Sequence, residues 1–130
     1  MRETRAQTAD GRHQQLVTIG PHRITADEPA DNGGHDAGPA PHELLLAALA
    51  SCTSMTIRAY AAHKQLPLRR VDVRVRGRHD DGVFVIEKDV RLDGDLDAAQ
   101  RARMLVIGGR CPVARTLSAT IRIEPASFED

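Results

Sequence analysis

The stretch from Pro41 to about His63 or Lys64 reads as one long helix, and within it Leu44 to Cys52 is apolar on nearly every side. Pro41 suits a first helical turn, and Glu43 complements the positive end of the helix dipole there. Pro67 lies just past the far end, where a helix does not continue. A helix on a protein surface carries a polar stripe; one without a stripe must be covered on most sides. This run therefore demands a central helix, wrapped by sheet or by a second subunit. A chain of 130 residues supplies little cover of its own. We expect a homodimer that buries well above the roughly 2,000 Å² at which obligate interfaces begin.

The flanking segments read as strands. Asp10-Gly11 and Gly20-Pro21 are turn signals on either side of a strand at Leu16–Ile19, and a second strand follows at Arg23–Ala26. Residues 1–10 carry mixed charge and either fray or add a strand. From Asp27 to Pro41, three glycines and three prolines punctuate a loop of about 15 residues, a length at which functional and merely flexible loops both occur. Beyond the helix, Val71, Val73 and Val75 alternate with charged residues. Phe84, Ile86, Val90 and Leu92 share one face of the next strand, with Asp80-Asp81-Gly82 as the turn between. Such alternation means one buried face and one wet face. A second helix opens near Asp95 or Asp97 and closes at Gly108-Gly109. A short helical turn runs from Cys111-Pro112 to about Leu117, and Ala119–Glu124 alternates as a last strand with Ile121 and Ile123 inward. Strands, long helix, strands, helices, strand is an α+β order, here in a single domain over residues 1–130.

Composition removes whole classes of function. Lys plus Arg is 18 and Asp plus Glu is 18, so there is no basic footprint for nucleic acid or an anionic membrane. Aromatics are 2% of the chain, which argues against base-stacking platforms. No uninterrupted apolar run approaches the roughly 20 residues that span a bilayer. Met1–Gly11 is polar with no apolar core, so no secretory signal is expected and the cytoplasm is the default. Six scattered histidines and two cysteines give no metal-ligand spacing, and no phosphate-cradling glycine loop or G-x-S-x-G elbow is present. No metal and no cofactor is expected.

The chemistry concentrates in the two cysteines, too few for a disulfide scaffold. Cys52 lies mid-helix among apolar residues, the setting of a small buried hydrophobe. Cys111 directly precedes Pro112, at the cap of a short helix, where backbone N–H groups and the dipole favour a thiolate. Arg110 and Arg115 add positive potential. On these features alone Cys111 is the more thiolate-like of the two. The spacing leaves open whether the two sulfurs meet.

Two stretches carry a resemblance. Gly38-Pro39-Ala40-Pro41-His42-Glu43-Leu44-Leu45-Leu46-Ala47-Ala48-Leu49-Ala50-Ser51-Cys52 and Cys111-Pro112-Val113-Ala114-Arg115-Thr116-Leu117, with Tyr60-Ala61 and a strand pair after Leu68 between them, resemble the OsmC/Ohr family. The resemblance runs from about Ile19 to Ile123. It implies an intertwined homodimer in which antiparallel sheets wrap long central helices. It also implies a thiol-dependent peroxidase that reduces organic hydroperoxides in an oxidative stress response. An external dithiol, often a lipoylated protein, restores such enzymes.

By motif, Cys52 is the attacking thiol and Cys111 the resolving one, which reverses the ranking from the residues alone. A thiolate displaces alkoxide from the O–O bond and becomes a sulfenic acid; a second thiol then condenses with it to a disulfide. A guanidinium beside the thiolate stabilises it and the developing alkoxide. Arg12 stands where the family's arginine falls, with Arg23 as competitor. Better-studied members carry a glutamate directly after the proline that opens the helix motif; here His42 holds that place and Glu43 follows. Glu43 is either the shifted equivalent or a first-turn charge. Nine residues of straight helix at about 1.5 Å each keep it roughly 13 Å from Cys52. Two alternatives stand beside the peroxidase: a non-peroxidatic thiol redox sensor of the same fold, and a binding protein for a small apolar ligand whose pocket the cysteines merely line.

Overall fold

The turn signals at the start of the chain build a three-stranded antiparallel sheet in the computed structural model, which describes residues 1–129. β1 (Thr4–Thr8) pairs with β2 (Gln15–Ile19), Thr4 opposite Ile19, and β2 pairs with β3 (His22–Ala26), Ile19 opposite His22. Gly20 takes φ 58°, the left-handed conformation that so tight a turn requires. The N-terminal residues 4–8 are therefore a strand and not a frayed end.

These strands belong to the first of two compact units, Met1–Ala47; the second begins at Ala48. The first unit's long loop is ordered around one carboxylate. Asp27, 2% exposed, accepts the N–H groups of Glu28 at 2.8 Å and of His35 and Ala37 at 3.1 Å. Its own N–H donates to the Pro39 carbonyl, and Asp36 donates to the Glu28 carbonyl. A Cβ at Gly38 would run into the Thr25 carbonyl, so the loop closes on β3 through a glycine.

The hydrogen bond from the Ala37 N–H, against the opposing effect of burial and with help from the Glu28 and His35 N–H groups, holds the Asp27 carboxyl below its ordinary value of 3.8. A depressed carboxyl stabilises the fold above its unfolded value, and that contribution is lost as pH falls through its folded value. Acid titration of amide protection at His35 and Ala37 should show the loop loosening below about pH 4. The Asp27→Asn variant should lack that acid transition, since its amide does not titrate. Parallel pH curves for the two proteins would remove Asp27 as the organiser.

Helix α1 (Pro41–His63) ends where expected. Gln65 takes φ 55° and donates to the Ala62 carbonyl, and Leu66 donates to the Ala61 carbonyl, a left-handed cap that uses up the last carbonyls. The second unit continues with β4 (Leu68–Asp80) and β5 (Val83–Gly94), an antiparallel pair joined at Asp81-Gly82, both at positive φ. One face carries half-buried Val71, Val73, Val75, Phe84, Ile86, Val90 and Leu92; the other carries charges such as the Arg76–Asp89 pair at 2.8 Å. α2 (Ala98–Gly108) starts with a capping box between Asp97 and Gln100. Arg101 fixes its approach by donating to the carbonyls of Leu92, Gly94 and Leu96. α3 (Pro112–Ser118) follows.

The core of this unit is Ile57, Ala61 and Met104, ringed by Tyr60, Leu66, Leu68, Val71, Val90, Leu92 and Leu96. It buries one stripe of α1, Leu49, Thr53, Ile57 and Ala61, at four-residue intervals. Leu45 and Met55, outside that stripe, remain 38% and 69% exposed. So, within the second unit, the buried side of α1 is the Leu49–Ala61 stripe and Met55 lies outside it.

Two expectations need correction. By length and composition α1 is apolar enough to cross a membrane, although 22% of that stretch is buried within the chain. Counting uninterrupted apolar residues missed this because Ser51, Thr53, Ser54 and Thr56 are polar but uncharged. Ala119–Glu124 is not a strand, and Ile121 and Ile123 are 55% and 89% exposed instead of inward. Alternation is a local property, whereas a strand needs a neighbour to pair with.

Candidate functional site

Cys52 sits on α1 one residue before the buried stripe position Thr53, and so lies at the stripe's margin, half-buried. Cys111 is the N-cap of α3, in extended conformation with φ −61° and ψ 153°, and Pro112 takes the first helical position. Pro112 has no N–H to offer, so the first free donor of α3 belongs to Val113. That N–H donates to Cys52 Sγ at 3.4 Å. In return the Thr53 hydroxyl lies 3.6 Å from Cys111 Sγ. The two cysteines are free thiols, and each faces the other's helix. The start of α3 thus serves both sulfurs, the Val113 N–H reaching Cys52 and the Ala114 N–H reaching Cys111.

The two thiols differ in access. Cys111 is fully buried, whereas Cys52 is partly exposed. Burial pushes the Cys111 thiol up, but the Thr53 hydroxyl, the Ala114 backbone N–H, the Cys52 thiol and the Lys88 ammonium together hold it below its ordinary value. A partly exposed cysteine whose sulfur accepts an N–H, beside a buried one held toward its thiolate, has the asymmetry that two successive thiol steps need.

A cavity of about 330 Å³ is lined by Leu49 of α1, by Phe84, Ile86 and Lys88 of β5, and by Ala114, Leu117 and Ser118 of α3. Leu49 lies one helical turn before Cys52, and Ala114 follows Val113. Apolar Leu49, Phe84, Ile86, Ala114 and Leu117 share the lining with Lys88 and Ser118. Among the described residues no group of three or more His, Cys, Asp or Glu side chains is placed to hold a metal ion.

Of the other residues singled out, Glu43 accepts the Ala40 N–H at 2.8 Å, while Leu44 donates to the Ala40 carbonyl. That is the glutamate half of a capping box, with the first helical hydrogen bond beside it, so Glu43 caps α1. Arg12 lies exposed in the bend between β1 and β2, and Arg23 lies exposed on β3. Thr53 and Lys88 were not among the candidates. Lys88 had a signal: counted by twos from Phe84 and Ile86, it falls on the inward face of β5.

A family model described as OsmC-like protein matches residues 33–126. No curated protein matches the chain. Solved structures share its fold at low identity. An OsmC-like protein from Mycoplasma pneumoniae is 20% identical with a TM-score of 0.77, over 91% of this chain and 87% of that one. An organic hydroperoxide resistance protein OsmC from Legionella pneumophila is 17% identical with a TM-score of 0.69, over 90% and 88%. The organic hydroperoxide resistance protein OhrB of Bacillus subtilis is 18% identical with a TM-score of 0.63, over 89% of each chain.

Proposed function

The chain belongs to the OsmC-like protein family, and on that footing we propose that it is a two-cysteine thiol peroxidase that reduces organic hydroperoxides. The observation that carries this reading is the exchange of contacts between Cys52–Thr53 and Cys111–Val113. Cys52, the more accessible thiol, attacks the terminal peroxide oxygen as a thiolate. The O–O bond breaks, the alkoxide leaves and takes up a proton, and Cys52 becomes a sulfenic acid. Cys111 closes the disulfide, and an external dithiol, such as a lipoylated protein, reopens it. A free thiol pair of this kind suits the reducing cytoplasm.

Arg12 is the cation we propose for the Cys52 thiolate and the departing alkoxide, and Glu43 contributes by fixing the start of α1. The apolar side chains of the cavity, Leu49, Phe84, Ile86 and Leu117, support organic over inorganic peroxide. A tail buried there gains about 0.8 kcal/mol per CH₂, and hydrogen peroxide has no tail to bury. Single-turnover oxidation of Cys52 should be faster with cumene hydroperoxide than with hydrogen peroxide. Arg12→Ala should slow both by about a hundredfold, and Arg12→Lys should also be slowed because the planar fork is lost. Equal rates for the two oxidants would remove the apolar-pocket argument. An unaffected Arg12→Ala protein would move the cation to Arg23.

The active form we propose is a homodimer. The exposed side of α1 at Leu45 and Met55, and the unpaired alternating segment with Ile121 and Ile123 outward, are the surfaces a second copy would cover. Light scattering at micromolar concentration should give twice the chain mass of 14.2 kDa. A monomer there would exclude it.

A further inference from the structure

We propose that Lys88 is the positioning cation of the resolving thiol: from the inward face of β5 it holds Cys111 ready to close the disulfide. This rests on the two-cysteine reading above and assigns a role that neither cysteine motif contains.

Three observations converge. First, Lys88 is the one charged residue in the inward row Phe84, Ile86, Lys88, Val90 and Leu92, all half-buried, and Val75 stands opposite it on β4. Placing an ammonium in such a row is costly unless it meets negative charge. Second, its strand neighbours do not neutralise it. Glu87 and Asp89 point to the wet face and pair with Arg76, and Glu87 also pairs with Arg78. Third, Lys88 lines the same cavity as Leu49, Ala114 and Leu117, which come from the two helices that carry the thiols. Among the described residues no other lining of that cavity is charged.

The groups around Cys111 are few. Cys52 and Thr53 approach from α1, Lys88 acts from β5, and Arg110 and Arg115 flank it in the chain, both exposed. Of these cations Lys88 is the one on the buried side, where charge is least screened.

The step it serves balances simply. The Cys111 thiolate attacks the Cys52 sulfenic sulfur; an S–S bond forms and the S–O bond breaks. The sulfenic sulfur is reduced, the thiolate sulfur is oxidised, and hydroxide leaves, taking a proton from solvent to become water. A neighbouring ammonium raises the thiolate fraction available for that attack at neutral pH.

The test uses Lys88→Met, which keeps length and apolar packing, and Lys88→Arg, which keeps the charge. Rapid-quench mass spectrometry after a pulse of cumene hydroperoxide follows conversion of Cys52 sulfenic acid to disulfide. Lys88→Met should close the disulfide about tenfold more slowly at neutral pH, with the difference vanishing at alkaline pH. Lys88→Arg should close it at nearly the parent rate. Independently of peroxide, ultraviolet thiolate absorbance in the Cys52→Ser background, where Cys111 is the only thiol, should titrate at higher pH when Lys88→Met is added. Failure of Cys52 to oxidise at all would count against the peroxidase reading, while this titration would still decide the role of Lys88. An unchanged titration, or closure slowed equally at every pH, would overturn the proposal and leave Lys88 as an inward charge that guards a sheet edge.

Discussion

Dithiol-driven reduction of cumene hydroperoxide is expected to fall to the uncatalysed background in Cys52→Ser, a loss of about a thousandfold or more. A serine hydroxyl stays protonated at neutral pH and does not displace alkoxide from an O–O bond. Val113 still offers its N–H there, so the contact between the helices survives while the nucleophile is gone. Cys111→Ser should behave differently. Cys52 should still consume one equivalent of peroxide and then stop as sulfenic acid, or advance to sulfinic acid under excess oxidant, because nothing condenses with it. Mass spectrometry separates the two variants by the number of added oxygens. Retained turnover in Cys52→Ser would reverse the roles of the two thiols. If neither cysteine reacts, the cavity lined by Leu49, Phe84 and Leu117 becomes the argument for a ligand-binding protein.

The second large effect is on stability. Ile57→Ala should cost about 2–5 kcal/mol, read as a lower denaturant midpoint and a thermal midpoint lower by about 10 °C. Ile57 is fully buried at the centre of the second unit's core and packs so closely on Gly108 that a Cβ there would meet its side chain at 2.8 Å. That glycine lets α2 approach α1, and Thr53 stands one turn from Ile57 on the same stripe. Truncating Ile57 should therefore also slow disulfide closure, by loosening the Thr53–Cys111 contact. Unfolding should be compared at one protein concentration, since association shifts the midpoint. A loss below about 1 kcal/mol would mean the site collapses around the smaller side chain.

What could be read in advance was local. Turn residues placed Gly20-Pro21 and Asp80-Asp81-Gly82, Pro41 and Pro67 bracketed α1, Asp95 or Asp97 marked the start of α2, and alternation assigned the faces of β4 and β5. Each is set by conformational preferences within a few residues of the chain, so each was legible. Lys88 was legible in principle by the same count of two, but a lysine reads as surface until its neighbours are seen to be buried.

The sequence by itself determined an α+β chain whose long helix lacks a polar face and whose two cysteines fall on helices of different kinds. Only the tertiary structure decided that these helices meet, so that the N–H freed by Pro112 goes from Val113 to Cys52 and the Thr53 hydroxyl goes to Cys111. It also decided that Ala119–Glu124, alternating as a strand should, pairs with no strand among the described residues. The physical reason is common to both. Periodicity and caps are properties of neighbouring residues, whereas a hydrogen bond between residues 61 positions apart, or a ladder between strands, depends on what the whole fold brings within reach.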